Sequence, residues 1–284
     1  MSISSTAWLA AVAAGTAVLA AAAVSARADD APDASVLRVA VYEEYEPFSE
    51  DGKGIDVDIA RALAGHLKRK LEVMPFKAGE RMEDDLRNVI WKGHYLRKER
   101  LADVMMHVPV DPNWAKKNEQ VRIFAPYFRE RIVVARNRNV IPNLPTLEAF
   151  VGAEKIGVQF DTLEDNYLFN AFGGRLRENL VHFPSTLAAA AALRKNDVVA
   201  VMGLQSHIEA ALGAKKDGFG IAPVATPGLV VNGWDVGLAV KAEAVELAAD
   251  LAKAMTAIAA DGTLEKIFTT RGVTYAPPRP AQAQ

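Results

Sequence analysis

The chain has 284 residues, half of them hydrophobic and 24% charged, with a formal net charge of −2. That balance argues against a nucleic-acid partner, which a basic excess gathered on one face would accompany. The absence of cysteine excludes disulfides, thiolate nucleophiles and cysteine metal sites.

Ala7 to Val24 is an uncharged, alanine-rich apolar run, and Ala26-x-Ala28 follows it as a small-residue cleavage pattern. The pattern predicts a signal peptide over residues 1–28, cleavage near Ala28 and a periplasmic product. No Lys or Arg precedes the apolar run, so the amino terminus alone supplies the positive charge.

"VLRVAVY" at 36–42 is rich in β-branched residues and predicts a strand, which Pro47 ends. Gly54 then opens a helix. Ile55, Ile59, Leu63 and Leu67 recur at helical spacing, with Asp56 and Asp58 in the first turn. "LEVMPF" predicts a strand, residues 83–96 a helix, and "ADVMMHV" at 102–108 a further strand. Strand–helix–strand order with short links implies parallel pairing in an α/β layer.

"RERIVVARN" leads away as a strand, and a second β/α rhythm runs from 154 to 224. "WDVGLAV" at 234–240 leads back. Residues 243–268 follow as a long helical region broken near Gly262, before a proline-rich polar end. The pattern predicts an α/β, two-lobed protein with a hinge of two crossing strands and a ligand cleft between the lobes. Lobe 1 spans 36–134 plus 233–272, lobe 2 spans 135–232, and 273–284 is expected as a disordered tail.

Six segments carry a family resemblance. They are "LRVAVYEEYEPF", "GIDVDIARALA", "ADVMM", "FAPYF" at 124–128, "IGVQFDTLEDNYL" and "GTLEKIF". In this order they resemble the family 3 periplasmic solute-binding proteins over nearly the whole mature chain. The resemblance implies the type II periplasmic binding-protein fold, no enzymatic activity, and delivery of a small-molecule ligand to the membrane subunits of an ABC importer by a monomer.

Amino-acid binders of that family carry Thr-x-x-Arg after the Asp-Val strand. Its arginine forks the ligand carboxylate. Here "VDPNWAKK" stands there, with Asp111 near the threonine position and no arginine at the matching one. Those binders also carry an acid at the end of a second-lobe strand, where this chain has Met202 and Gly203. The missing clamp argues against an ordinary amino-acid ligand.

"VMMHVP" followed by an aromatic Pro-Tyr segment resembles the subgroup associated with quinoprotein alcohol dehydrogenases. That resemblance implies two readings. One is binding of a small anionic aromatic molecule, best named as pyrroloquinoline quinone (PQQ), a bound ligand rather than a catalytic cofactor. The other is a J-type accessory protein of a PQQ-dependent methanol dehydrogenase. Against the second, Ala102 stands where that group has cysteine. An atypical amino-acid or polar-metabolite binder is a third reading.

Strand ends at α/β crevices are where ligands sit. That position makes Tyr42, His107 and Trp114 in lobe 1, Gln159 and Thr162 at the first turn of lobe 2, and Trp234 at the hinge candidate ligand residues, and the family resemblance adds Arg81, in a loop where family members contact ligands, and Asp111, near the threonine position. Trp114 supplies an aromatic face, Arg81 and His107 supply donors for carboxylates, and the helix start after Gln159 favours an anion. No catalytic motif appears, and no two histidines share a metal-ligand spacing.

Overall fold

A computed structural model describes residues 33–96, 100–152 and 154–280. The expected signal peptide at 1–28 and residues 281–284 of the expected tail lie outside the described residues.

Strand β1 (Val36–Tyr42) pairs in parallel with β4 (Lys70–Phe76) and β5 (Val104–Pro109). Between β1 and β4 lie a short hairpin, β2 (Glu44–Tyr45) with β3 (Ser49–Glu50), and helix α1 (Ile55–His66). Alternation along β1 divides its side chains between two faces. Leu37, Val39 and Val41 face α1, while Ala40 joins Met105, Leu86 and Ile90 on the other side.

Gly54 caps α1 at φ 133°, and a Cβ there would stand 2.1 Å from the Phe48 carbonyl oxygen. Only glycine permits this entry to the helix.

The helix expected over 83–96 ends early. It runs as α2 (Met82–Leu86), widens into a π-helical turn over Arg87–Trp91, and stops before Gly93 at φ 88°. The short helix α3 (Pro112–Ala115) follows β5.

Strand β6 (Val121–Asn137) is eight residues longer at its start than the "RERIVVARN" segment suggested, and it joins the two halves of the sheet. Residues Val121 to Arg131 pair antiparallel with β11 (Gly233–Lys241). From Ile132 onward β6 pairs instead with β9 (Ala200–Leu204) and β10 (Phe219–Ala222). Strands β7 (Ile156–Gln159) and β8 (Leu180–Phe183) complete a parallel set with β9. The main sheet reads β4-β1-β5-β11-β6-β9-β7-β8, with β10 also on β6. Both chain crossings meet where the Ile132 N–H donates to the Asn232 carbonyl at 3.0 Å.

Helices α4 (Leu163–Gly174), α5 (Thr186–Lys195) and α6 (Gln205–Leu212) flank the second half. Helices α7 (Val245–Ala260) and α8 (Thr263–Thr270) return to the first. The break between them falls at Gly262, φ 81°. Phe268 stacks on Phe128 at 4.4 Å between ring centroids, and both are buried.

The end of the chain departs from the expected disordered tail as far as Pro280. Val273 and Ala276 are buried, and the Arg129 N–H donates to the Ala276 carbonyl at 2.9 Å. The Thr274 N–H donates to Glu209 on α6 at 2.5 Å. β6 is the outer strand of the first half of the sheet, and this segment satisfies its free edge.

Candidate functional site

The C-terminal ends of β1, β5 and β9 converge beside the crossing point. Tyr45, from the β2–β3 hairpin, stands at the centre of what they bring together. Its ring lies edge-on to His107 of β5 at 4.9 Å and to His207 of α6 at 5.2 Å. Phe48 stacks behind it at 5.6 Å, and Tyr42 meets it edge-on at 5.7 Å. One aromatic side chain of the first half is thus held between histidines of both halves.

A carboxylate and a phenol fix His107. Asp56 in the first turn of α1 is 1% exposed. It accepts from the Tyr127 hydroxyl at 2.6 Å and lies 3.3 Å from His107 Nδ1, in ion-pair range but outside hydrogen-bond geometry. The Tyr127 hydroxyl in turn accepts from the His107 N–H at 3.1 Å. His107 itself sits at φ 61°, an uncommon conformation for a residue other than glycine.

Three further acids crowd this region. Glu130 on β6 is fully buried and accepts from the Ser206 hydroxyl and from the Arg131 N–H at 3.0 Å. Burial still pushes its carboxyl above the usual range. Glu164 at the start of α4 is buried and raised for the same reason. Asp85 is raised by burial too, against hydrogen bonds from the Gly79 N–H at 2.8 Å and the Tyr42 hydroxyl at 3.1 Å. Desolvation, then the carboxylates of Glu130, Asp56 and Glu164, drive the Tyr45 phenol well above its ordinary value.

His207 moves the opposite way. Burial, then His107, bring it down from 6.5 to about 4, so it is a neutral imidazole at pH 7. Its Nε2 is buried without a hydrogen-bond partner among the described residues.

A cavity of about 300 Å³ opens beside this cluster, lined by Tyr42, Glu43, Glu44, Tyr45, Lys77 and Ala78. Lys77 is its only cation, and Glu43 stands 3.9 Å away.

The sequence candidates are placed unevenly. Tyr42 and His107 belong to the cluster. Trp234 lies opposite Glu130 on β11 and packs against the cores of both halves. The others serve local structure. Asp111 caps α3 by accepting the Trp114 N–H at 2.7 Å, and the Trp114 indole donates to Glu83 at 3.2 Å. Arg81 precedes α2, is exposed, and lies 3.6 Å from Glu83. Gln159 accepts from the Thr186 N–H at 2.9 Å, while Thr162 caps α4 and donates to the Gln159 carbonyl at 2.9 Å.

Tyr45, Glu130, Glu164, Ser206 and His207 were missed. One position could have been considered: Ser206 and His207 come just after the end of β9, the strand-end setting in which the other candidates were sought.

The sequence pattern of the bacterial extracellular solute-binding proteins, family 3, matches residues 37–270. The chain belongs to this family. Solved structures with the same two-lobed type II fold include an ancestral cationic amino acid solute-binding protein. It is 19% identical, with a TM-score of 0.63 over 84% of this chain and 96% of that one. An amino-acid ABC transporter substrate-binding protein from Streptococcus pneumoniae, bound to L-arginine, is also 19% identical. Its TM-score is 0.54 over 84% of this chain and 94% of that one. The GluR0 ligand-binding core in complex with L-glutamate is 17% identical, with a TM-score of 0.57 over 84% and 98%. No curated protein sequence matches this chain.

Proposed function

We propose that this family 3 protein is an exported receptor for a small polar metabolite carrying a cationic amine, an amino-acid-like solute bound without turnover and delivered to an ABC importer. One observation carries the reading. The cluster around Tyr45, which this reading places in the cleft between the lobes, gathers the carboxylates of Glu130, Glu164 and Asp56 around aromatic rings, with Asp85 beside Tyr42 and no guanidinium among the described residues of the cluster. Glu130, Glu164 and Asp85, raised by desolvation, gain from a positive partner, and aromatic faces attract cations. Two of the similar structures, a cationic amino acid solute-binding protein and a substrate-binding protein bound to L-arginine, agree with such a solute.

The charge pattern disfavours the anionic aromatic ligand expected from the sequence. A tricarboxylate such as PQQ would meet these acids without the cations it needs. Arg81 is exposed beside Glu83, and His107 Nδ1 already faces the Asp56 carboxylate at 3.3 Å. The same shortage removes the chemical support for a quinoprotein partner.

The reading fits a missing carboxylate fork and a relocated acid. The ammonium partner shifts from the β9 end to Glu130 on the hinge strand and Glu164 on α4. Among the described residues no helix is long and apolar enough to cross a membrane. Native mass spectrometry of protein isolated from an exporting host tests the proposal: a co-purifying amine supports it, and a co-purifying polycarboxylate overturns it.

A further inference from the structure

A second cavity of about 500 Å³ lies at the hinge and shares no residue with the Tyr45 cluster. Its floor is Ile132 and Val134 of β6 with Met202 of β9. These belong to the sheet face opposite the one that α6 covers, where Val133 and Ala135 pack against Ile208 and Leu212. Leu229 and Val224, from the loop that leads back to β11, form one wall. Pro277, Pro278 and Pro280 of the ordered C-terminal segment form the other. The lining also includes three arginines, Arg129, Arg131 and Arg279, and no carboxylate is among its residues.

The three arginines differ. Arg129 is 9% exposed at its side chain and already held, with Nη1 2.9 Å from Asp235 and Nη2 donating to the Gly233 carbonyl at 3.2 Å. The side chains of Arg131 and Arg279 are exposed and have no ion-pair or hydrogen-bond partner among the described residues. Asn232 and Thr226 add polar groups at the same mouth. The site therefore combines an apolar floor with two uncommitted guanidinium forks at its rim. That is the chemistry that grips a carboxylate through paired N–H donors while its body is removed from water. The volume suits a small molecule.

We propose that the hinge cavity is a second binding site, for a small monocarboxylate carried on an aromatic or aliphatic body. Arg131 and Arg279 fork the carboxylate, and the body lies on Ile132, Val134, Met202 and Leu229. The site's chemistry is the reverse of the acidic cleft, so one ligand does not serve both. Its walls come from a crossing strand, the second crossing and the C-terminal segment together. A bound molecule thus touches both chain crossings and the C-terminal segment at once.

Titration with benzoate and hexanoate, and with benzamide and hexanamide as uncharged counterparts, tests this while the amide resonances of Met202, Leu229 and Asn232 are followed. The expected result is saturable shifts at those residues with the carboxylates only, weakened about tenfold or more in the double variant R131Q/R279Q. Both arginines are exposed, so the double variant should keep its melting temperature. Leu229→Glu sets a carboxylate at the wall and should abolish binding independently. The proposal is overturned by no saturable shift at millimolar carboxylate, by amides binding as well as acids, by unchanged affinity in both variants, or by shifts centred on Tyr45 and His107.

Discussion

The Tyr127 hydroxyl donates to Asp56 at 2.6 Å across the interior of the first lobe, joining the hinge strand β6 to the first turn of α1. The same oxygen accepts the His107 N–H, so three segments share one phenol. Tyr127→Phe would leave Asp56 short of a donor and an N–H unpaired, both buried. A loss of about 1–3 kcal/mol is expected, read from chemical denaturation. An unchanged midpoint would show that the phenol does not hold this junction.

His207 should make stability fall in mild acid. Its folded value of about 4 lies below the ordinary 6.5. Above pH 6.5 the imidazole is neutral in both states, and below about pH 4 it is charged in both. Between these limits the unfolded chain binds a proton that the folded chain does not, so acid favours unfolding. The slope reaches about 1.4 kcal/mol per pH unit from this group. Glu130 and Glu164, raised by burial, contribute the opposite slope as pH rises above the usual carboxylate value. Comparing the wild type with His207→Phe isolates the histidine. The variant should gain relative to the wild type between pH 7 and pH 5, and a constant difference would contradict the assignment.

Arg129 and Asp235 lock the two crossing strands together, at 9% and 16% side-chain exposure. Asp235→Ala leaves the guanidinium buried with only the Gly233 carbonyl as a partner. It also removes the acceptor of the Arg279 N–H. A loss of about 3–5 kcal/mol is expected for breaking such a pair, measured by denaturation at neutral pH. A loss comparable to that of an exposed ion pair would show that the hinge does not depend on it.

Much of the fold was legible because periodicity reports burial. The odd residues of β1 and the i, i+4 stripe of α1 face each other in one core, as their spacing implies. The break at Gly262 could be read from the residue alone. The early stop of the helix after Trp91 could not, because the apolar spacing continues to Leu96 while the backbone widens and then turns at Gly93. The C-terminal segment misled for a related reason. Its prolines and polar residues resemble a disordered end, but extended chain can lie along an open strand edge, and β6 offers one.

The cleft was less legible. Positional reasoning found Tyr42, which ends β1, and His107, in the C-terminal half of β5. It also selected Asp111, Trp114, Gln159 and Thr162, whose hydrogen bonds close turns and helix starts within one lobe. Tyr45, Glu130 and His207 lie far apart in sequence and meet only when the lobes do. No local pattern reports such a meeting, and the charge of the cleft follows from it.

Glu130 carries the central claim. Glu130→Gln keeps the size of the side chain and an acceptor for the Arg131 N–H but removes the charge. The most direct measurement is a thermal-shift titration of wild type and Glu130→Gln. Basic amino acids and small diamines form one arm, and PQQ with other aromatic carboxylates forms the other. The account predicts that an amine raises the melting temperature of the wild type, that the shift falls sharply in Glu130→Gln, and that the carboxylates leave the cleft untouched. Stabilisation by PQQ that Glu130→Gln enhances, with no response to any amine, would contradict it.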